Sequence, residues 1–310
     1  MSGLSEILID KAVFALVIVC FSSKFENLCL DIFIEIFRYL RPIDLIYSLD
    51  NLLPHLNGLI EQHTRSMDFR LINKSFFNKF IQTLPIHSIG HIEKMYLSNH
   101  FTCGEISEMF EKFPWSRLTR LESLKLESIG SFELSKYVNL IRSFLVNLHS
   151  LSVNFDASDS APDSSVMQKI LRLENRQTDI RLTECCITGF PFTFSSNIDS
   201  RSNEILRILK ITLKTVDDLF VIYRLFPKLE NLSCDICDHT SKSVVDLTVS
   251  STCLTDLTLI IEKSITLKLM EKILSPHQQL RSLIFKALLI DEVNRFEFID
   301  KDNQRDFLLF

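Results

Sequence analysis

A short pattern, apolar-x-x-apolar-x-apolar, returns along most of this 310-residue chain. Ile92, Met95 and Leu97 make one copy; Leu121, Leu124 and Leu126 make the next; Leu148, Leu151 and Val153 follow. Later copies are Leu206, Leu209 and Ile211; Leu229, Leu232 and Cys234; Leu254, Leu257 and Leu259; and Leu280, Leu283 and Phe285. A weaker copy is read at Ile180 and Leu182, with Gln177 in its first slot, and an early partial one at Met67 and Phe69. From residue 92 the starts are separated by 29, 27, 29, 29, 23, 25 and 26 residues. A period of this length marks a repeat architecture, in which no unit buries its apolar face alone and a stack of units does.

Between the copies the apolar period switches to that of a helix. Ile106, Met109, Phe110 and Phe113 are spaced i, i+3, i+4, i+7, and Val216, Leu219, Phe220 and Tyr223 repeat the spacing. Leu134, Val138, Ile141 and Leu145 share a face, as do Leu267, Met270 and Leu274. Helices running toward Pro114 and Pro227 are expected to stop before them, because the residue preceding proline is pushed out of the helical region. Strand, turn and helix in repetition predict an α/β fold: a curved parallel sheet with helices outside it. Asn99, Asn154 and Cys237 stand where a repeat array would place a polar loop ladder. Two stretches break the period: residues 156–165, acidic and serine-rich, and residues 189–202, where Phe190, Pro191, Phe192 and Phe194 mix with polar residues. Both read as loops or insertions.

The N-terminal part is organised differently. Over residues 25–62, Ile32, Ile36 and Leu40 recur every four residues, and Phe33 and Phe37 form a second row beside them. Pro42 opens a second helix, where its missing N–H costs little. Two apolar rows on so short a module leave surface that the rest of the chain or another protein must cover, since free-standing domains below about 40 residues are rare. Leu28, Asp31, Ile32, Ile36, Phe37, Leu40, Pro42, Asp44 and Leu45 stand at a spacing that resembles the F-box, with Cys29 in place of the usual proline. The family's tryptophan near the end of the module is missing, the chain's single tryptophan being Trp115. The repeats resemble the leucine-rich repeats that follow F-boxes.

The resemblance implies a short helical F-box (25–62) followed by a leucine-rich-repeat solenoid (63–310). Residues 1–24 form an apolar N-terminal segment. It further implies the substrate-recognition subunit of an SCF-type ubiquitin ligase, a non-catalytic part of that complex. Leu28, Cys29, Ile32, Ile36, Phe37, Leu40, Pro42 and Leu45 would bind the adaptor subunit and, through it, the cullin. Leu28, Cys29, Pro42 and Leu45 are expected toward the covered edge. The repeats would hold an unknown target protein, through strand positions between the inward ones such as Glu122, Ser123, Lys125, Lys228, Glu230, Asn231 and Thr258. Such a subunit is cytoplasmic or nuclear. The alternative is a repeat scaffold without a ligase role, either intracellular or secreted; in the secreted case residues 1–22 serve as a signal peptide. Residues 12–21 are a continuous apolar run, too short for a bilayer span of roughly 20 residues. They suit either the core of a signal peptide or a short element packed on the module.

Composition removes other classes. Net charge is −5 without a basic stripe, so neither nucleic acid nor a membrane is an expected partner. Glycine numbers 6 and no phosphate-cradling glycine motif occurs. The eight cysteines are irregularly spaced and read as reduced, mostly buried thiols. Cys234, Cys237 and His239 amount to half a zinc site, lacking a second ligand pair for a tetrahedral centre. Cys185 and Cys186, being adjacent, are read as core packing rather than a redox pair. No nucleophile sits in a recognisable catalytic motif. No catalytic residue, metal or cofactor is therefore assigned.

Overall fold

The computed structural model describes residues 29–49, 56–83, 89–144, 147–156, 166, 170–171, 181–194, 202–238 and 253–289. In chain order the elements are α1 (Leu30–Phe37), α2 (Pro42–Leu49), α3 (Asn57–His63), β1 (Ser66–Asp68), α4 (Lys74–Thr83), β2 (Lys94–Ser98), α5 (Glu105–Lys112), a 3-10 turn (Trp115–Arg117) and β3 (Ser123–Ile129). There follow α6 (Ser131–Phe144), β4 (Ser150–Phe155), β5 (Glu184–Phe192), β6 (Ile208–Thr215), α7 (Val216–Leu225), β7 (Asn231–Asp238), β8 (Asp256–Ile265), α8 (Leu267–Leu274) and β9 (Ser282–Leu289). Strand order in the sheet is chain order. Every pairing described below is parallel, so the protein is α/β. The contacts divide the chain into two compact units, Met1–Ser123 and Leu124–Phe310.

In the first unit the N-terminal helices and the first two strands belong together, so the contacts do not divide at residue 62. Phe33, Phe37, Leu45, Leu49, Leu56 and Ile60 make a helical core, with Ile36, Leu40 and Leu59 packed on it. Ile43 and Ile46, also buried, lie on the remaining sides of α2, which packs against β1 as well as α3. The early partial repeat is genuine. Met67 pairs in register with Met95, and both are buried. Its first slot is held by Thr64, fully buried, whose hydroxyl donates to the Ile60 carbonyl at 2.7 Å and meets His91 Nε2 at 2.5 Å. A satisfied hydroxyl can occupy an apolar slot, because burial penalises a polar group only when its bonds go unmade.

In the second unit the inward positions of neighbouring strands stand side by side. One row runs Leu151, Cys185, Leu209, Leu232, Leu257, Leu283; the next runs Val153, Ile187, Ile211, Cys234, Leu259, Phe285. All are buried except Leu283, which is half-buried. These rows correct the weak copy read at Gln177, Ile180 and Leu182. The residues in register are Leu182, Cys185 and Ile187, so that unit starts at 182 and the flanking spacings are 34 and 24 residues. A cysteine in the leucine slot concealed the copy. Residues 189–192, read as an irregular insertion, continue β5 past a register shift. Gly189 makes this possible. Its φ is +102°, and a Cβ there would lie 2.7 Å from the Phe155 carbonyl oxygen. Only glycine lets the two backbones approach so closely.

The backbone repeats as faithfully as the side chains. At the starts of β2, β3 and β5 to β9, two successive N–H groups donate to one carbonyl of an earlier unit. Glu93 and Lys94 donate to Arg65, and Glu122 and Ser123 to Glu93. Thr183 and Glu184 donate to His149, Arg207 and Ile208 to Thr183, Glu230 and Asn231 to Arg207, Thr255 and Asp256 to Glu230, and Arg281 and Ser282 to Thr255. Each shared carbonyl locks one unit's register to the next.

The helices follow the predicted faces, with one adjustment. Ile106, Met109, Phe110, Phe113, Val216, Leu219, Phe220, Tyr223, Leu134, Val138 and Ile141 are buried, and Leu145 lies outside the described residues. In α8 Ile273 is buried, while Met270 and Leu274 are half-buried at the margin and the side chain of Leu267 lies outside those described. Helices α5 and α7 end before Pro114 and Pro227, as the proline rule requires.

Candidate functional site

Helix α1 carries the residues to which the sequence assigns docking. Its core face is set by Phe33 and Phe37, whose rings meet edge-to-face at 6.1 Å; Phe37 also meets the His63 ring at 5.5 Å. Aromatic rings win the interior because each buries more apolar surface than an isoleucine can. The isoleucine row turns outward. Ile32 is 42% exposed and Ile36 half-buried; Tyr39, three residues further, is 71% exposed. Spacings of four and three residues place the three on one side of the helix. Cys29, exposed, precedes the helix and accepts the Ile32 N–H at its carbonyl.

The turn into α2 is fixed by charge. The Arg41 guanidinium makes a two-pronged pair with the Asp44 carboxylate, at 2.7 and 3.0 Å. Pro42 is the first residue of α2 and half-buried.

The eight residues assigned to adaptor binding therefore separate. Leu28 lies outside the described residues. Cys29 and Ile32 are exposed, and Ile36, Leu40 and Pro42 are half-buried. Phe37 and Leu45 have no surface to present: Leu45, expected toward the edge, is 0% exposed and joins Phe37 in the helical core. Two exposed apolar residues escaped the sequence reading. Tyr39 lies three residues past Ile36, off the four-residue spacing that defines the rows. Leu30, 52% exposed, sits two positions from Ile32 on another side of α1 and borders an open cleft of about 300 Å³ with Leu59, Arg65, His91 and Arg120.

The second unit offers a sheet face between the inward rows. Ser152, Cys186, Lys210, Ser233, Thr258 and Ile284 run side by side across it. A further row holds Thr212, Asp235, Ile260 and Lys286. With strands about 4.8 Å apart, five steps span roughly 24 Å, the scale of a protein epitope rather than a small-molecule pocket. Of the expected surface positions, Asn231 and Thr258 are exposed or half-exposed on strands. Lys125 is half-buried and paired with Glu127 at 2.7 Å. Lys228 and Glu230 precede β7 and are held by Glu204 and Arg207 at 3.0 and 3.5 Å. Glu122 and Ser123 belong to the first unit.

The ladder candidates do different jobs. Asn99 accepts the Ile106 N–H at 3.0 Å and so caps α5. Asn154 accepts from the Thr188 hydroxyl at 3.3 Å. Cys237 is half-buried, and burial together with Glu262, Asp235 and Asp238 raises its thiol pKa. Cys234, by contrast, is fully buried. Three positions apart on one strand, the two thiols face opposite sides of the sheet and cannot ligate one ion. His239 lies outside the described residues. Among those residues, no group of three or more His, Cys, Asp and Glu side chains could hold a metal. The seven described cysteines are free, and only Cys185 and Cys234 are buried, which corrects the expectation of mostly buried thiols. Cys185 packs inward while Cys186 faces the other side of the sheet.

Three buried titratable groups are structural in their bonding or setting. Asp218 accepts from the Phe194 N–H at 2.7 Å, the Thr215 N–H at 3.0 Å and the Thr215 hydroxyl at 2.6 Å, capping α7; burial raises its pKa. His277 stacks edge-on to Tyr223 at 4.4 Å and is held down to about 4 by burial. Glu105, at the start of α5, accepts the Ser98 N–H at 3.2 Å and is pushed up to about 8 by burial. Among the described residues no helix is long and apolar enough to cross a membrane.

No family model matches this chain, and comparison with curated proteins finds no match.

Proposed function

We propose that this chain is the substrate-recognition subunit of an SCF-type ubiquitin ligase. The helices of residues 25–62 form the F-box and dock on the adaptor, which carries the cullin. The parallel repeats form a leucine-rich-repeat solenoid that holds a target protein. The observation that carries this reading is the division of α1 into two rows. Phe33 and Phe37 close the helical core, Ile36 packs half-buried at its edge, and Ile32 and Tyr39 remain exposed beside it. An apolar row kept at the surface of a small helical module is what a permanent partner would cover. The chain makes and breaks no bond in this reading. It acts by position, raising the target's effective concentration beside the ubiquitin-charged enzyme.

Co-purification of the tagged chain with adaptor and cullin tests the reading. Recovery of both is expected from the wild type, and their loss from Ile32→Asp. A wild-type chain that recruits neither sinks the proposal.

A further inference from the structure

The open cleft beside Leu30 draws its walls from three parts of the first unit. Helix α3 supplies Gly58, Leu59, Glu61 and Gln62, and Leu30 begins α1. Arg65, His91 and Arg120 come from the segments just before β1, β2 and β3. These strand starts are tied together. The Arg65 carbonyl takes the N–H groups of Glu93 and Lys94, and the Glu93 carbonyl takes those of Glu122 and Ser123. His91, 7% exposed, is fixed as well. Thr64 gives its one hydroxyl proton to Ile60, so its oxygen accepts from His91 Nε2 and that nitrogen carries the hydrogen. The cleft is therefore preformed, and its volume of about 300 Å³ lies at the lower end for small-ligand sites.

Gly58 has no backbone reason to be glycine. Its φ lies outside the left-handed region, and a Cβ there would meet nothing within 4 Å. Within a helix only proline is less favourable than glycine. What the glycine provides is open space at the cleft. The charges then divide the labour. Arg65 is engaged by Glu93 at 3.2 Å, whereas Arg120 and Glu61 make no ion pair among the described residues. A guanidinium takes a carboxylate two-pronged. Leu30 and Leu59 offer apolar surface beside it. Glu61 and the Gln62 amide oxygen can accept N–H groups, and Glu61 disfavours a second negative charge on the ligand. A phosphate dianion fits this set poorly, and a plain fatty acid has no N–H for Glu61.

We propose that the cleft binds the carboxyl terminus of a peptide chain that ends in an apolar residue. The terminal carboxylate sits on Arg120 with Arg65, the last side chain on Leu30 and Leu59, and the last N–H on Glu61. The site is independent of the docking reading.

Ligand-observed NMR titration of the full chain tests it. The probe is a tetrapeptide of three alanines and a terminal leucine, acetylated at its amino end. A Kd on the order of a millimolar or tighter is expected for so small and open a site. The same peptide with a carboxamide end should bind at least about tenfold more weakly, as should the free-acid peptide to Arg120→Gln. Arg120 is exposed, so that variant keeps its fold. Gly58→Leu fills the cleft and should abolish binding, while the unfolding midpoint read from Trp115 holds or rises. No binding by the wild type overturns the proposal. So does equal binding of acid and amide, or binding indifferent to Arg120. Octanoate that binds as tightly as the tetrapeptide overturns the assignment to a peptide.

Discussion

Replacing Glu105 by glutamine is expected to stabilise the first unit at neutral pH and to leave it nearly unchanged near pH 4.5. Glu105 is 1% exposed, with one carboxyl oxygen on the Ser98 N–H and the other without a hydrogen-bond partner among the described residues. Burial raises its pKa from 4.5 to about 8, with Asp68 adding to the rise and the Ser98 bond opposing it. Between these values the folded state holds a proton that the unfolded state has released. Stability therefore falls as pH rises through the window and levels off above pH 8. At about 1.4 kcal/mol per pH unit, the cost at pH 7 is about 3 kcal/mol. Glutamine has nearly the same shape, can still accept from Ser98 and never has to ionise.

Trp115 reports on this region without labelling. It is the chain's single tryptophan, its ring is stacked 4.6 Å from Phe110 of α5, and its indole N–H donates to the Met109 carbonyl. Urea unfolding followed by Trp115 fluorescence at pH 5 and pH 7.5 should show a wild type that loses stability on going up in pH, and a Glu105→Gln variant that loses much less. Parallel pH dependences in the two proteins would refute the argument from burial.

Other predictions follow the same logic. His277 behaves oppositely to Glu105. Its pKa falls from 6.5 to about 4 on burial, so the second unit should lose up to about 3 kcal/mol as pH drops from 6.5 toward 4; His277→Phe should flatten that slope in acid unfolding followed by circular dichroism. Gly189→Ala forces a Cβ to within 2.7 Å of the Phe155 carbonyl at a φ of +102°, and is expected to cost about 3 kcal/mol or more in thermal or urea unfolding. Phe33→Ala should destabilise the helical core by about 3–5 kcal/mol, whereas Ile32→Ser, next to it but outside, should change stability by less than about 1 kcal/mol.

Much of the fold was legible because its rows are built from leucine and isoleucine at a fixed offset. Leu209, Leu232 and Leu257 stand in one register line, as the repeat pattern requires. The pattern failed where chemistry substituted for apolarity. Thr64 fills an inward slot by bonding Ile60 and His91, and Cys185 fills one as a small hydrophobe. The backbone lock, two N–H groups on one carbonyl at seven strand starts, leaves no trace in side chains. On α1 both apolar rows were visible, but periodicity cannot say which faces inward. The two phenylalanine rings decide it, by taking the interior and leaving Ile32 and Tyr39 outside. Leu45 was misplaced for a related reason. A helix packed on both α3 and β1 is buried on more sides than one apolar stripe suggests.

The most direct test of the docking account is adaptor binding to the purified full chain by isothermal titration, in the wild type and in the Ile32→Asp, Tyr39→Asp variant. The account predicts a one-to-one complex that Ile32→Asp with Tyr39→Asp abolishes while Trp115 fluorescence and the unfolding midpoint are retained. Absence of any complex with the wild type, or a complex indifferent to Ile32 and Tyr39, would contradict it.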